Sequence, residues 1–155
     1  MENILKSKAA KPNKFLEPLG ILIGEWKVLG KHPLFPGVTL TGTTIFKWIE
    51  NGAFIQMNNF INHEQFPDGI SILGSDDSDQ EYLMLYYDER GVSRRYSCTI
   101  KNNIWRWWRD DPDFSQQFHC EILDNGNTII SKGKMSRNGE PWEDDLELTY
   151  TRISS

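Results

Sequence analysis

The sequence predicts an all-β protein: a closed, antiparallel up-and-down barrel of about ten strands with a short N-terminal helical turn capping one end. Three observations carry this. From Gly24 onward apolar and polar residues alternate with period two, turn signals recur at intervals of about 8–12 residues, and no later segment has the spacing of an amphipathic helix. A meander through so many hairpins leaves two exposed edges unless it closes, so a barrel is favoured over a sandwich. With more than about eight strands its interior is wide enough for a small ligand.

Residues 1–14 carry Lys6, Lys8, Lys11 and Lys14 around Ala9, Ala10 and Pro12, and read as a flexible tail. A weak helix from Glu2 to Ala10 is the alternative reading. The barrel domain is expected to span 15–155. Phe15 to Leu22 is apolar and interrupted by Pro18 and Gly20, which suits one helical turn that keeps water out of the core. Gly24-Glu25-Trp26 then opens the first strand: the glycine lets another backbone approach closely, and the tryptophan can fill the floor of a closed sheet.

Strands are expected from Gly24 to Lys31, Thr39 to Ile49, Ala53 to Ile61, Gly69 to Gly74 and Glu81 to Tyr87. Five more run from Val92 to Ile100, Asn103 to Arg109, Phe114 to Ile122, Thr128 to Ser136 and Pro141 to Arg152. Short turns separate most of them, among them Glu50-Asn51-Gly52, Lys101-Asn102-Asn103, Asp124-Asn125-Gly126 and Arg137-Asn138-Gly139. His32 to Gly37 and the acidic Ser75 to Gln80 are longer loops, suited to rim an opening. If the first and last strands are neighbours, the Arg152 guanidinium can lie over the Trp26 ring and lock the seam. Otherwise Trp26 is an ordinary core aromatic and Arg152 a surface charge.

A chain of 155 residues forms one domain with one core. Seventeen Lys and Arg against 22 Asp and Glu give a net charge of −5, which argues against nucleic acid as a partner. No apolar run approaches the roughly 20 residues that span a bilayer, so no membrane partner is expected. Cys98 and Cys120 lack metal spacing, and the start of the chain lacks a secretory apolar stretch; reduced thiols and a cytoplasmic location are the expectation. Six Trp, five Tyr and eight Phe suit either a large core or a pocket for a flat or greasy ligand.

The densest chemistry is Ile104-Trp105-Arg106-Trp107-Trp108-Arg109-Asp110. Alternation puts Trp105, Trp107 and Arg109 on one face and Arg106 and Trp108 on the other, so an arginine approaches the interior whichever face is inside. A buried guanidinium needs a carboxylate of the protein or an anionic group of a ligand. Arg94 alternates with Tyr96, Cys98 and Ile100 and poses the same question; snorkelling to water is its other reading. Gln116, between Phe114 and Phe118, is a polar residue on an expected inner face, there to meet a ligand or to satisfy backbone groups. In the last strand Asp144, Leu146, Leu148, Tyr150 and Arg152 share one face, and Glu143, Asp145 and Glu147 the other, more solvated one. Asp145 is nevertheless the candidate to neutralise an internal arginine. His32, His63 and His119 share no metal-ligand spacing, so no metal is expected. No nucleophile elbow, phosphate loop or thiol pair is present, and no catalytic residue is assigned.

On these residues the chain resembles the calycin superfamily, whose lipocalins open with Gly-x-Trp as Gly24 and Trp26 do here. It is more closely similar to a family of uncharacterised bacterial lipocalin-like proteins related to nitrobindins and fatty-acid-binding proteins. The shared segments are Asp88 through Tyr96, Trp105 through Asp110, Pro112, Phe114, Gln116, Phe118, Ser136 to Gly139, Trp142, Asp145, Leu148 and Tyr150. The resemblance implies the barrel and brings no established activity. Nitrobindins hold haem through a histidine in the final strand; Asp144-Asp145-Leu146 stands there in this chain, so no cofactor is expected and haem is disfavoured. Arg-Tyr pairs also occur in small-barrel enzymes such as phenolic acid decarboxylases, although no full catalytic set of theirs maps onto this sequence.

The expectation is a binding protein for a small, mostly apolar ligand with an acidic or polar head. Its site would draw on Trp26, Arg94, Tyr96, Arg106, Trp108, Gln116, Asp145 and Tyr150, with Arg94 or Arg106 fixing the head group. A homodimer is compatible with this reading. The rival from another class is an enzyme in which Arg94 and Tyr96 polarise a substrate and Asp145 or Glu147 serves as acid or base.

Overall fold

The computed structural model describes residues 12–79 and 81–155, so the tail 1–11 and its alternative helix lie outside the described residues. Ten strands form: β1 (Gly24–Lys31), β2 (Leu40–Ile49), β3 (Phe54–Ile61), β4 (Gly69–Ser75), β5 (Tyr82–Asp88), β6 (Ser93–Lys101), β7 (Ile104–Arg109), β8 (Phe114–Leu123), β9 (Thr128–Arg137) and β10 (Glu143–Ser154). Each pairs antiparallel with the next, and β1 closes on β10. Every strand of the sequence reading is present, displaced by no more than two residues at either end. Two turns are the left-handed pairs that tight hairpins demand, Asn102-Asn103 at φ 54° and 60° and Asn138-Gly139 at φ 52° and 72°.

A 3-10 helix, Lys14–Leu22, plugs one end. Its three residues per turn put Leu16, Leu19 and Leu22 on one face, and all three are fully buried. The Asn13 side chain accepts the Phe15 N–H at the start of this helix. Asn13 also donates its backbone N–H to Gly52 O and its side-chain amide to Ser75 Oγ, at 2.9 and 2.8 Å. Asn13 is thereby tied to Gly52 in the β2–β3 turn and to Ser75 at the end of β4.

The seam forms as the Gly-x-Trp opening suggests. Trp26 pairs in register with Arg152, and the Arg152 guanidinium carbon lies 4.1 Å from the ring centroid. Arg152 also donates to the carbonyls of Ile21, Ile23 and Gly126, while the Trp26 indole N–H donates to Leu22 O at 2.9 Å. Gly24 sits at φ 134°, where a β-carbon would stand 2.3 Å from Ser154 O and 2.7 Å from Arg152 Nη1. Only glycine leaves room for the last strand to close.

The plugged half of the barrel is solid. Trp26, Phe46, Ile55, Leu73, Trp105 and Ile129 fill it with at most 1% exposure each. The Phe46 and Trp105 rings meet edge to face at 5.8 Å. The other end is left for the five loops that follow β1, β3, β5, β7 and β9.

The last strand departs from simple alternation. Asp144 pairs with Lys134 and Glu147 with Lys132, so Asp145 and Leu146 both stand opposite Gly133 in a β-bulge. A β-carbon on Gly133 would lie 2.6 Å from the Phe118 ring and 2.8 Å from Leu146 O. The extra residue reverses the parity, and Asp145 joins Leu148 and Tyr150 inside; it is 6% exposed. The expectation that Asp145 shares a solvated face with Glu147 is overturned by this bulge, which separates the two and which period-two reading steps over.

Candidate ligand-binding cavity

The open half of the barrel holds a cavity of about 550 Å³. At roughly 30 Å³ per water, that is the volume of about 18 waters. Its apolar body is made by inward residues of six strands: Val28, Met57, Met84, Trp107, Phe118 and Leu148. The Trp107 ring stacks on Phe118 with centroids 3.8 Å apart and planes 14° from parallel. Part of the mouth is covered by the β1–β2 and β3–β4 loops, whose Phe35 and Phe66 rings lie 5.5 Å apart beside His32 and His63.

One hydrogen-bonded chain runs along the wall from the cavity to this cover. The Tyr96 hydroxyl donates to Gln116 Oε1 at 2.6 Å, and Gln116 Nε2 donates to Asp145 Oδ2 at 2.8 Å. Asp145 also accepts the Leu146 N–H and lies 3.1 Å from His32 Nε2. The Leu34 N–H donates to His32 Nδ1 at 3.1 Å, which places the imidazole proton on Nε2, where it donates to Asp145. The acid therefore neutralises no arginine; it fastens the β1–β2 loop to the inner wall.

Four arginines ring the mouth, and they differ in their partners. Arg90 grips Asp88 at 2.7 Å, and the Tyr86 hydroxyl donates to the same carboxylate at 2.7 Å. Burial works to raise the Asp88 pKa, but the hydrogen bonds from Arg90 and Tyr86 outweigh it and hold the group at about 2. Arg109 points inward but is spent on Phe114 O at 3.1 Å and on Asp111 at 3.5 Å. Arg94 lies with its guanidinium carbon 4.6 Å from the Phe114 ring centroid, and Arg137 pairs in register with Phe114 from the far side. Among the described residues neither Arg94 nor Arg137 has a carboxylate at ion-pair distance. Burial raises the pKa of the neighbouring Tyr96 phenol, and the charges of Arg94 and Arg109 pull against that rise.

The structure brings five of the eight expected site residues together: Arg94, Tyr96, Gln116, Asp145 and Tyr150 all line this cavity. Trp26 lies beneath its floor, edge-on to Tyr150 at 6.4 Å, and belongs to the seam. Arg106 and Trp108 are on the outer face of β7, where the guanidinium carbon sits 5.5 Å from the Trp108 ring centroid; neither reaches the cavity. The reason is volume. Turning β7 the other way would expose both Trp105 and Trp107 in order to bury one indole and an unpaired charge. Trp107, legible as Trp105's partner in alternation, is the cavity tryptophan. His32 was legible only as part of a rim loop; its pairing with Asp145, 113 positions away, had no signal in the sequence.

Among the described residues no cluster of His, Cys, Asp and Glu is arranged to hold a metal, and no helix is long and apolar enough to cross a membrane. Both cysteines are free and buried.

By sequence, no family profile matches this chain. No curated protein is similar to it in sequence. By structure it is similar to Rv2717c from M. tuberculosis, with a TM-score of 0.62 and 12% identity over 92% of this chain and 99% of that one. It is equally similar to the S-type phycobiliprotein lyase CPES from Guillardia theta, with a TM-score of 0.62 and 10% identity over 99% of both chains. At such identities the likeness is one of fold, and the fold is the closed ten-stranded, calycin-like barrel.

Proposed function

We propose that this barrel binds a small amphipathic molecule, an apolar body carrying an acidic head. The observation that carries this reading is Arg94: half-buried on the cavity wall, stacked on Phe114, and without a carboxylate partner among the described residues. Desolvating a guanidinium without an anion is costly, and a ligand carboxylate would complete it with Tyr96 beside it. Trp107, Phe118, Met57 and Met84 supply apolar contact, and the two methionines adapt to irregular shapes.

The same reading keeps the lipocalin-like relationship and sets nitrobindin-like haem binding aside. His32 is the imidazole nearest the wall chain, and both of its ring nitrogens are engaged, by Leu34 and Asp145. The enzymatic alternative is disfavoured for a similar reason: Asp145 already accepts from Gln116, His32 and Leu146. We place the protein in the cytoplasm with a small molecule as its partner, rather than nucleic acid or a membrane; the buried, unpaired thiols and the net charge of −5 support that. A cavity contained in one barrel would serve a monomer or a homodimer alike.

Native mass spectrometry of protein purified without denaturation, beside the same sample denatured, is the direct test. A bound mass that vanishes on denaturation and proves to be an apolar acid is the expected result. Arg94→Ala should weaken that acid about 10- to 100-fold, the loss of one charge-assisted contact. Equal affinity in the two proteins would count against the assignment.

A further inference from the structure

The five tyrosines of the chain divide sharply. Tyr82 donates to Phe15 O, Tyr86 to Asp88 and Tyr96 to Gln116, while Tyr87 is exposed on the outer wall. Tyr150 is different. It is 4% exposed, points inward from β10 above the Trp26 edge, and lines the cavity floor. Its hydroxyl has no hydrogen-bond partner among the described residues, yet it is not sealed away from the cavity. Burial drives its phenol well above the ordinary range, so the group remains a neutral donor at any physiological pH.

A hydroxyl that opens on a cavity and has no protein partner must be met by another polar atom once a ligand displaces water from the floor, and native interiors rarely leave such a group unmet. An apolar floor needs none. Phenylalanine would fill the same space against Trp26, so the hydroxyl marks a place where a polar atom is met. Nearby, Ser131 Oγ accepts the Cys120 thiol at 3.3 Å and keeps its own proton to give. On the opposite wall Ser71, 1% exposed, also lines the cavity without a side-chain partner among the described residues.

We propose that the ligand is polar at both ends: an apolar acid that carries a second oxygen, as hydroxyl or carbonyl, at its inner end, where Tyr150 hydrogen-bonds it. This assignment rests on the reading of Arg94 as the acid's partner. Asp145 at the rim and Tyr150 on the floor are separated by four pleat positions once the bulge is discounted. At about 3.3 Å per residue and a tilt of about 40°, that puts the floor hydroxyl on the order of 10 Å below the rim of β10. A plain alkyl acid of this size fits the volume but leaves the floor hydroxyl unmet.

Calorimetric titration of the wild-type protein with matched pairs decides it: straight-chain acids of about 8 to 16 carbons, chosen to bracket that span, each with and without a terminal hydroxyl. At the best-fitting length the hydroxy acid should bind about tenfold more tightly. Tyr150→Phe, which keeps the ring against Trp26, should erase that difference and leave the plain acid within about twofold. Plain and hydroxy acids binding equally at every length would overturn the inner-end assignment alone. A preference that survives in Tyr150→Phe would overturn Tyr150 as its source. Failure of every acid to bind would bring down the head-group reading and this one together. The wild-type comparison stands by itself should the variant not fold.

Discussion

Arg152 lies over the Trp26 ring at 4.1 Å and at the same time holds the carbonyls of Ile21, Ile23 and Gly126. One side chain thus joins the last strand to the first, to the plug and to the β8–β9 turn. Arg152→Ala removes the cation–π contact and leaves three carbonyls short of a donor, at a cost of about 2–4 kcal/mol. Arg152→Lys keeps the charge without the planar fork and should restore less than half of that. Urea unfolding monitored by tryptophan fluorescence measures both; an alanine variant as stable as wild type would show the seam to be held elsewhere.

Asp88 gives the barrel an acid-sensitive contact at its mouth, with Arg90 and Tyr86. Its folded pKa of about 2 lies below the ordinary 3.8, so it contributes stability above pH 4 that is lost as pH falls through about 2. The contribution is on the order of 1–2 kcal/mol after allowance for solvent screening. Asp88→Asn should therefore be less stable than wild type at pH 6, with the two curves converging toward pH 2. A stability difference independent of pH would mean that Asp88 acts by packing alone.

The barrel was legible in the sequence because its signals are local. Alternation, left-handed turn residues such as Asn102-Asn103, and the opening Gly24-x-Trp26 each depend on neighbours within a few positions. The site was only half legible, for two physical reasons. Alternation names two faces without saying which is inside, and the choice on β7 was made by the combined volume of Trp105 and Trp107 against the interior. The bulge at Asp145-Leu146 changes parity by one residue and has no sequence mark of its own beyond Gly133 on the neighbouring strand.

The outer position of Arg106 makes a clean control for the cavity arginine. Exposed and stacked on Trp108, it touches nothing inside the barrel. Arg106→Ala should leave acid binding unchanged and alter stability by no more than about 0.5 kcal/mol. Titration of both arginine variants with one probe acid checks this, and loss of binding in Arg106→Ala would reverse the face assignment of β7.

The contact between His32 and Asp145 ties the β1–β2 loop to the barrel wall. Leu34 and Phe35 line the cavity from the β1–β2 loop, and their position depends on an imidazole that accepts from Leu34 and donates to Asp145. His32→Ala should raise amide hydrogen exchange at Leu34 and in the 34–38 loop at least about tenfold, the loss of about 1.4 kcal/mol of local protection. Exchange in β6 to β9 should stay at wild-type rates. If the loop exchanges no faster in the variant, the Phe35 and Phe66 ring contacts hold it without the histidine.

Cys98 and Cys120 report on opening of the barrel wall itself. Burial pushes both thiols up to about 12, against weaker lowering contacts from Trp105 and Ser131. The thiolate is the reactive form, so at pH 8 neither should react with an aromatic disulfide reagent while the barrel is closed. Both should react at the rate of global unfolding, and both should become fast in denaturant. Rapid labelling of Cys120 alone in the native protein would point to separation of β8 from β9, the strand pair that seals it beside Ser131. A ligand filling the cavity should slow labelling further, in proportion to the stability it adds, because reagent and ligand compete for opposite ends of one folding equilibrium.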